Sequence, residues 1–102
     1  MAFIQILTGA TANGNSSQYD WDVGEGQVVV SGTFDGATVK LQLSPDDGTT
    51  WVDVGTASTF TAAGGAGFTV NSCKLRINIS DAGASTVVSA WISSEVGGDI
   101  SL

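Results

Sequence analysis

Apolar and polar residues alternate along most of this chain with a period of two, the spacing that sends successive side chains to opposite faces of a strand. Residues 3–8 set Phe3, Gln5 and Leu7 against Ile4, Ile6 and Thr8. Residues 18–23 hold Tyr19, Trp21 and Val23 on one parity and Asp20 and Asp22 on the other, the mark of a half-buried strand. Residues 27–34 are β-branched and aromatic, with Val28, Val30 and Phe34 in phase. Further strands are expected over 37–43, 50–55 and 67–71. Over 73–80, Leu75, Ile77 and Ile79 oppose Lys74, Arg76 and Asn78. Over 86–94, Val88, Ala90 and Ile92 oppose Val87, Ser89, Trp91 and Ser93. No segment repeats at the helical period. Short strands broken by turn signals at roughly 8–12 residues predict an all-β fold. The expectation is a single-domain β-sandwich, jelly-roll or Ig-like, of about eight short antiparallel strands over residues 1–102.

The connections are written in turn residues. Residues 9–17 read as a Gly/Asn/Ser loop, Gly24-Glu25-Gly26 as a turn and Asp35-Gly36 as a two-residue hairpin turn. Residues 56–66, mostly Thr, Ala, Ser and Gly around Phe60, read as a mobile surface loop. Residues 81–85 form another turn, and the tail 97–102 is expected to be loose. The clearest signal is Ser44-Pro45-Asp46-Asp47-Gly48-Thr49-Thr50-Trp51, between Val39–Leu43 and Trp51–Val54. A proline, two aspartates and a glycine between runs of period two make a β-hairpin from Gly36 to Val54.

Five residues of that turn, Ser44, Asp46, Gly48, Thr50 and Trp51, also fit the Asp-box, Ser-X-Asp-X-Gly-X-Thr-Trp, which recurs in the propeller blades of sialidases. A propeller needs at least four blades, and this chain has room for about two at ~40–50 residues each. The box is therefore a structural turn here. Asp46 is placed to accept turn N–H groups, Gly48 to supply positive φ and Trp51 to fold over the turn.

Charge narrows the function. Three Lys and Arg stand against ten Asp and Glu, a formal net charge of −7. That balance argues against nucleic acid, which is held by basic side chains that displace phosphate counterions, and against an anionic membrane surface. No stretch approaches the ~20 apolar residues of a membrane span. The N-terminal run lacks the basic leader of a signal peptide. With no histidine, the commonest general base and zinc ligand are missing. The single cysteine, Cys73, permits no intrachain disulfide and reads as a small buried hydrophobe. Asp20, Asp22 and Glu25, and Asp46 with Asp47, read as solvated acidic surface, lacking EF-hand spacing. The expectation is a non-enzyme with no catalytic, cofactor or metal site.

Partner contacts are expected instead. Trp91 lies on the parity opposite Val88, Ala90 and Ile92, which marks it as a contact residue. Trp21, Trp51, Trp91 and Tyr19 together are the material of a sugar-stacking platform, although aromatics in a β domain more often serve the core or a protein interface. Lys40, Lys74 and Arg76 alternate with aliphatic neighbours, so each points outward and together they would form the one basic patch on an acidic protein. Phe3 to Leu7 carries apolar side chains on both parities, so Phe3 and Ile4 are expected in subunit contacts made by the strand 1–8.

The stretch GATVKLQLSPDDGTTWVDV, from Gly36 to Val54, resembles a pattern shared by small structural proteins of tailed bacteriophages, which read ATV-L-SPDGGTTWVDV followed by a polar loop and a final pair of strands. Such proteins are virion components, commonly capsid decoration (cement) proteins or small head and tail proteins. The resemblance implies a protein made in the host cytoplasm that binds the major capsid protein on the outer shell of the phage head. It further implies a homo-oligomer, a trimer where local three-fold axes are occupied. A tail, connector or fibre component, or a carbohydrate-binding or adhesion module, is the alternative.

Overall fold

The computed structural model describes residues 3–22 and 24–94; the parity of Val23 and the tail 97–102 lie outside the described residues. Ten strands are present among the described residues: β1 (Ile4–Ala10), β2 (Gly14–Asn15), β3 (Tyr19–Trp21), β4 (Glu25–Thr33), β5 (Thr38–Ser44), β6 (Val52–Asp53), β7 (Thr59–Phe60), β8 (Gly64–Thr69), β9 (Cys73–Ser80) and β10 (Val87–Ser94). They form two antiparallel sheets. One has four strands in the order β1-β10-β4-β8. The other has six, with β9 and β5 at its centre, β2 and β3 along the free side of β9, and β6 and β7 along the free side of β5. The all-β sandwich-like architecture read from the period-two pattern is what the chain adopts.

The alternation explains the layers. Val28 and Val30 of β4 and Val88, Ala90 and Ile92 of β10 face inward from one sheet, and Val39 and Leu41 of β5 and Leu75, Ile77 and Ile79 of β9 face inward from the other. All of these are buried, and with Ile6, Trp21, Phe34, Ala37 and Phe68 they make one core cluster. At one end Trp21 packs on Phe68 at 5.2 Å between ring centroids. Gly26 makes room for that indole, since a Cβ there would stand 2.6 Å from the Trp21 ring.

Consecutive strands rarely pair. The chain passes from one sheet to the other between β1 and β2, β3 and β4, β4 and β5, β7 and β8, β8 and β9, and β9 and β10. Among the described residues, β5–β6 is the one pairing of strands adjacent in sequence. Asp35-Gly36 is thus a correction to the hairpin expected there. Both residues have positive φ (47° and 87°) and the Ala37 N–H donates to the Phe34 carbonyl at 2.9 Å, so the tight turn forms. It joins β4 in one sheet to β5 in the other, because Phe34 and Ala37 on its two sides are both buried between the layers.

Two segments read as loops contain strands. In 9–17, β1 runs on to Ala10 and β2 pairs with β9, while Ser16 closes against Ile77 through its N–H and its hydroxyl, both at 2.8 Å. In 56–66, a short 3₁₀ turn (Thr56–Ser58) leads into β7, and β8 begins at Gly64. Gly64, Gly65 and Gly67 have no side chains to alternate, and backbone pairing with Val30, Val29 and Gln27 makes the strand. The two-sided apolarity of the N-terminal strand also has an internal cause. The register slips between Gln5 and Leu7, so Ile6 is buried and the next residue, Leu7, also packs against the core.

Gly32, opposite Val88 in β4, has φ of 126°, and a Cβ there would stand 2.1 Å from the Val87 carbonyl oxygen. Gly55 has open space around its Cβ position and an extended backbone. Gly32→Ala is expected to lower unfolding free energy by about 2–4 kcal/mol, while Gly55→Ala stays within about 0.5 kcal/mol of wild type or gains slightly. Urea denaturation of the two variants beside wild type measures both.

Candidate functional site

The hairpin turn folds as its residues require. Asp47 and Gly48 both take positive φ, 63° and 98°. The Gly48 N–H donates to Ser44 Oγ (2.7 Å), and the buried Ser44 hydroxyl donates to Asp46 Oδ1 (2.9 Å). The Thr50 N–H donates to the same carboxylate oxygen (2.7 Å), and the Trp51 indole N–H closes on the Gly48 carbonyl (3.1 Å). Ser44, Asp46, Gly48, Thr50 and Trp51 thus form one hydrogen-bonded turn. The bonds from Thr50 hold the Asp46 carboxyl below its ordinary pKa.

The three basic residues do share one face, the outer side of the six-stranded sheet, but each already has a partner. Lys40 lies 3.6 Å from Asp53. Lys74 donates to Asp20 at 2.7 Å and lies 3.5 Å from Asp47, and the Asp20 contact raises its pKa. Arg76 donates from Nε to Gln42 Oε1 at 2.9 Å, with its guanidinium 4.2 Å from the centre of the Trp51 ring. Gln42 in turn donates to Asp53 at 2.9 Å, which links Arg76 to Lys40. Lys40 and Lys74 are thus paired with carboxylates, whereas Arg76 meets a neutral amide and an indole face. Sequence reasoning placed the bases correctly and missed their acceptors, which come from β3, β5, β6 and the hairpin turn.

Phe3 and Trp91 are brought together on the opposite side of the molecule. Trp91 pairs across strands with Val29 and with Gln5, and Phe3 lies alongside. Phe3, Val29 and Trp91 alone line a shallow depression of about 330 Å³ on the outer face of the four-stranded sheet. Phe3 is 46 % exposed, and Val87, two registers further along the same face, 48 %. Ile4 is exposed too, but its pairing with Ile92 puts it on the inner parity at the sheet edge, off this face. Val29 was not singled out from sequence; its parity opposite Val28 and Val30 is the signal that could have found it.

The three tryptophans diverge. Trp21 is in the core, Trp51 lies under Arg76, and Trp91 is half-buried on the far sheet, so they share no sugar-stacking face. Cys73 is half-buried, and burial pushes its thiol pKa up. Among the described residues no three His, Cys, Asp or Glu side chains gather as a metal site, and no helix is long and apolar enough to cross a membrane. No family model matches this sequence, and neither a curated protein nor a solved structure matches it significantly.

The lowered Asp46 pKa carries a sign. A depressed carboxyl stabilises the fold above its unfolded value near 3.8 and loses that contribution as pH falls through the folded value. Asp46→Ala is therefore expected to melt below wild type at neutral pH, with the gap narrowing as the pH is taken below about 4. Thermal melts of both proteins across acid pH test this.

Proposed function

We propose that this chain is a structural virion protein, a decoration (cement) protein that binds and stabilises the outer shell of a tailed-phage head. It works as a homo-oligomer on the capsid surface and has no catalytic, cofactor or metal role. Two features support the reading. The hairpin that carries the resemblance, Gly36 to Val54, has all five of its turn residues in one bonded unit. The observation that carries the assembly role is the outer face of the four-stranded sheet, where Phe3, Val29 and Trp91 stand exposed or half-buried around a shallow depression. Contiguous exposed apolar surface on a small soluble domain marks an interaction site.

The energetics suit a lattice. Each copy needs only a modest contact with the shell, because many copies bridging neighbouring capsomers add their contacts through multivalency. A net charge of −7 keeps the free protein soluble before it binds.

Particles made without this protein are expected to assemble but to lose resistance to heat, chelators or internal DNA pressure. Purified protein added back is expected to restore that resistance, saturating at a fixed number of copies per capsid. Loss of tail attachment or host adsorption, with head stability intact, would put a connector or fibre role in its place.

A further inference from the structure

We propose that the outer face of the four-stranded sheet pairs with the same face of a second copy of this chain, forming a two-fold dimer centred on Trp91 and Val29. The proposal takes from the preceding reading only that this face is an assembly surface, and it names the partner.

Charge identifies the occupant. The chain carries a net −7, yet among the described residues Glu25, at the end of β4, is the one charged side chain on this face. The rest of the face is Ser, Thr, Gln and Gly around the apolar cluster. The ion-pair network and most of the acids lie on the other sheet or at the loops. A basic partner would be drawn to those acids, not to this face. Two copies of an acidic chain meeting through the six-stranded sheet would bring several carboxylates together. Meeting here, among the described residues, they bring only the Glu25 of each copy onto the shared face. Packed sheets lie about 10 Å apart, so the charged six-stranded layers of two copies joined by these faces stand roughly 30 Å from one another, several Debye lengths at physiological salt.

The face is also self-complementary. Trp91 and Val29, which line the shallow depression, stand in one cross-strand row that continues across β8 into Gly65, with Gly67 further along that strand. Those two glycines have no side chains, so the row falls to a low strip at its β8 end. A two-fold axis sets the Trp91 of each copy over the glycine strip of the other, an isologous contact. A cyclic trimer, by contrast, would need two different surfaces on each copy.

The area sets the strength. Four strands at about 4.8 Å and eight paired rows at about 3.3 Å span roughly 19 by 26 Å. That is on the order of 500 Å² per copy, near the lower limit for a specific interface, which fits a weak association.

Sedimentation of the full chain, from low micromolar to submillimolar and at low and high salt, tests the pairing. The expected result is a monomer–dimer equilibrium that holds or tightens as salt rises, because salt screens the residual repulsion. Trp91→Glu and Val29→Glu should each weaken it about 30-fold or more. Ser31→Glu adds a charge at an exposed position of the same face without removing an apolar side chain, and should also weaken it. Thr49→Glu, an exposed change at the hairpin turn, should leave it unchanged. Circular dichroism confirms that each variant is folded, and Ser31→Glu serves if the others are not. A monomer at every concentration, a trimer, or face variants that pair like wild type would overturn the proposal. Particle binding separates the two readings. A dimer that neither binds nor protects particles overturns the decoration role and leaves the pairing. A monomeric wild type that protects them does the reverse.

Discussion

The Thr86 hydroxyl, buried between the layers, is the knot on which the sandwich depends. It donates to the Phe34 carbonyl at 2.7 Å and accepts the Gly83 N–H at 2.8 Å. Phe34 is the last residue before the turn into β5, and Thr86 the last before β10. One side chain therefore ties together two places where the chain leaves one sheet for the other. Asp35 adds a second tie by accepting the Ser85 N–H at 2.8 Å, and Gly83 sits so close that a Cβ there would stand 2.4 Å from the Asp35 carboxylate. The crossing from β1 to β2 joins the same corner, with Asn13 accepting the Ala82 N–H at 2.8 Å. A buried hydroxyl without a partner is costly, and Thr86 meets that demand by joining two of the three crossings that share this end.

With that end closed, the layers are free to differ on their outer sides. On the six-stranded sheet, Lys40, Lys74 and Arg76 each meet an acceptor from another strand or from the hairpin turn. That surface is internally satisfied, and it clamps the hairpin to the sheet through Trp51, Arg76 and Gln42. On the four-stranded sheet, Glu25 is the one charge among the described outward positions, and the apolar ones cluster. An acidic chain with so little charge on one face has a direction in which close contact with a like molecule costs less electrostatically. The proposed shell-binding role and the proposed pairing both draw on this asymmetry, one for the existence of an assembly surface and the other for its partner.

The sequence alone determined the strands with strong alternation, which side of each faces the core, and the hairpin turn. Val28, Val30, Leu75, Ile77, Ile79, Val88, Ala90 and Ile92 are buried as their parity required, and Trp91 is turned the other way. These outcomes rest on local physics, because a period of two and a Pro-Asp-Asp-Gly turn act over a few residues. It is no accident that the best-read element, β5–β6, is the one pairing of sequence neighbours among the described residues. What only the tertiary structure decided is everything that needed a distant partner. Asp35-Gly36 reads as a hairpin because its turn geometry is that of one, yet the two strands part company when the layers bury Phe34 and Ala37. The glycines of β8 give no alternation, and β4 makes them a strand. The register slip in β1 hides in an apolar run until Ala90 takes Leu7 as its partner. Lys74 and Asp20 lie 54 positions apart and Arg76 and Gln42 lie 34 apart, so nothing in the local pattern could show that the bases are matched. Local spacing decides which side of a strand is apolar, whereas which strand lies beside it follows from burying all of those sides at once.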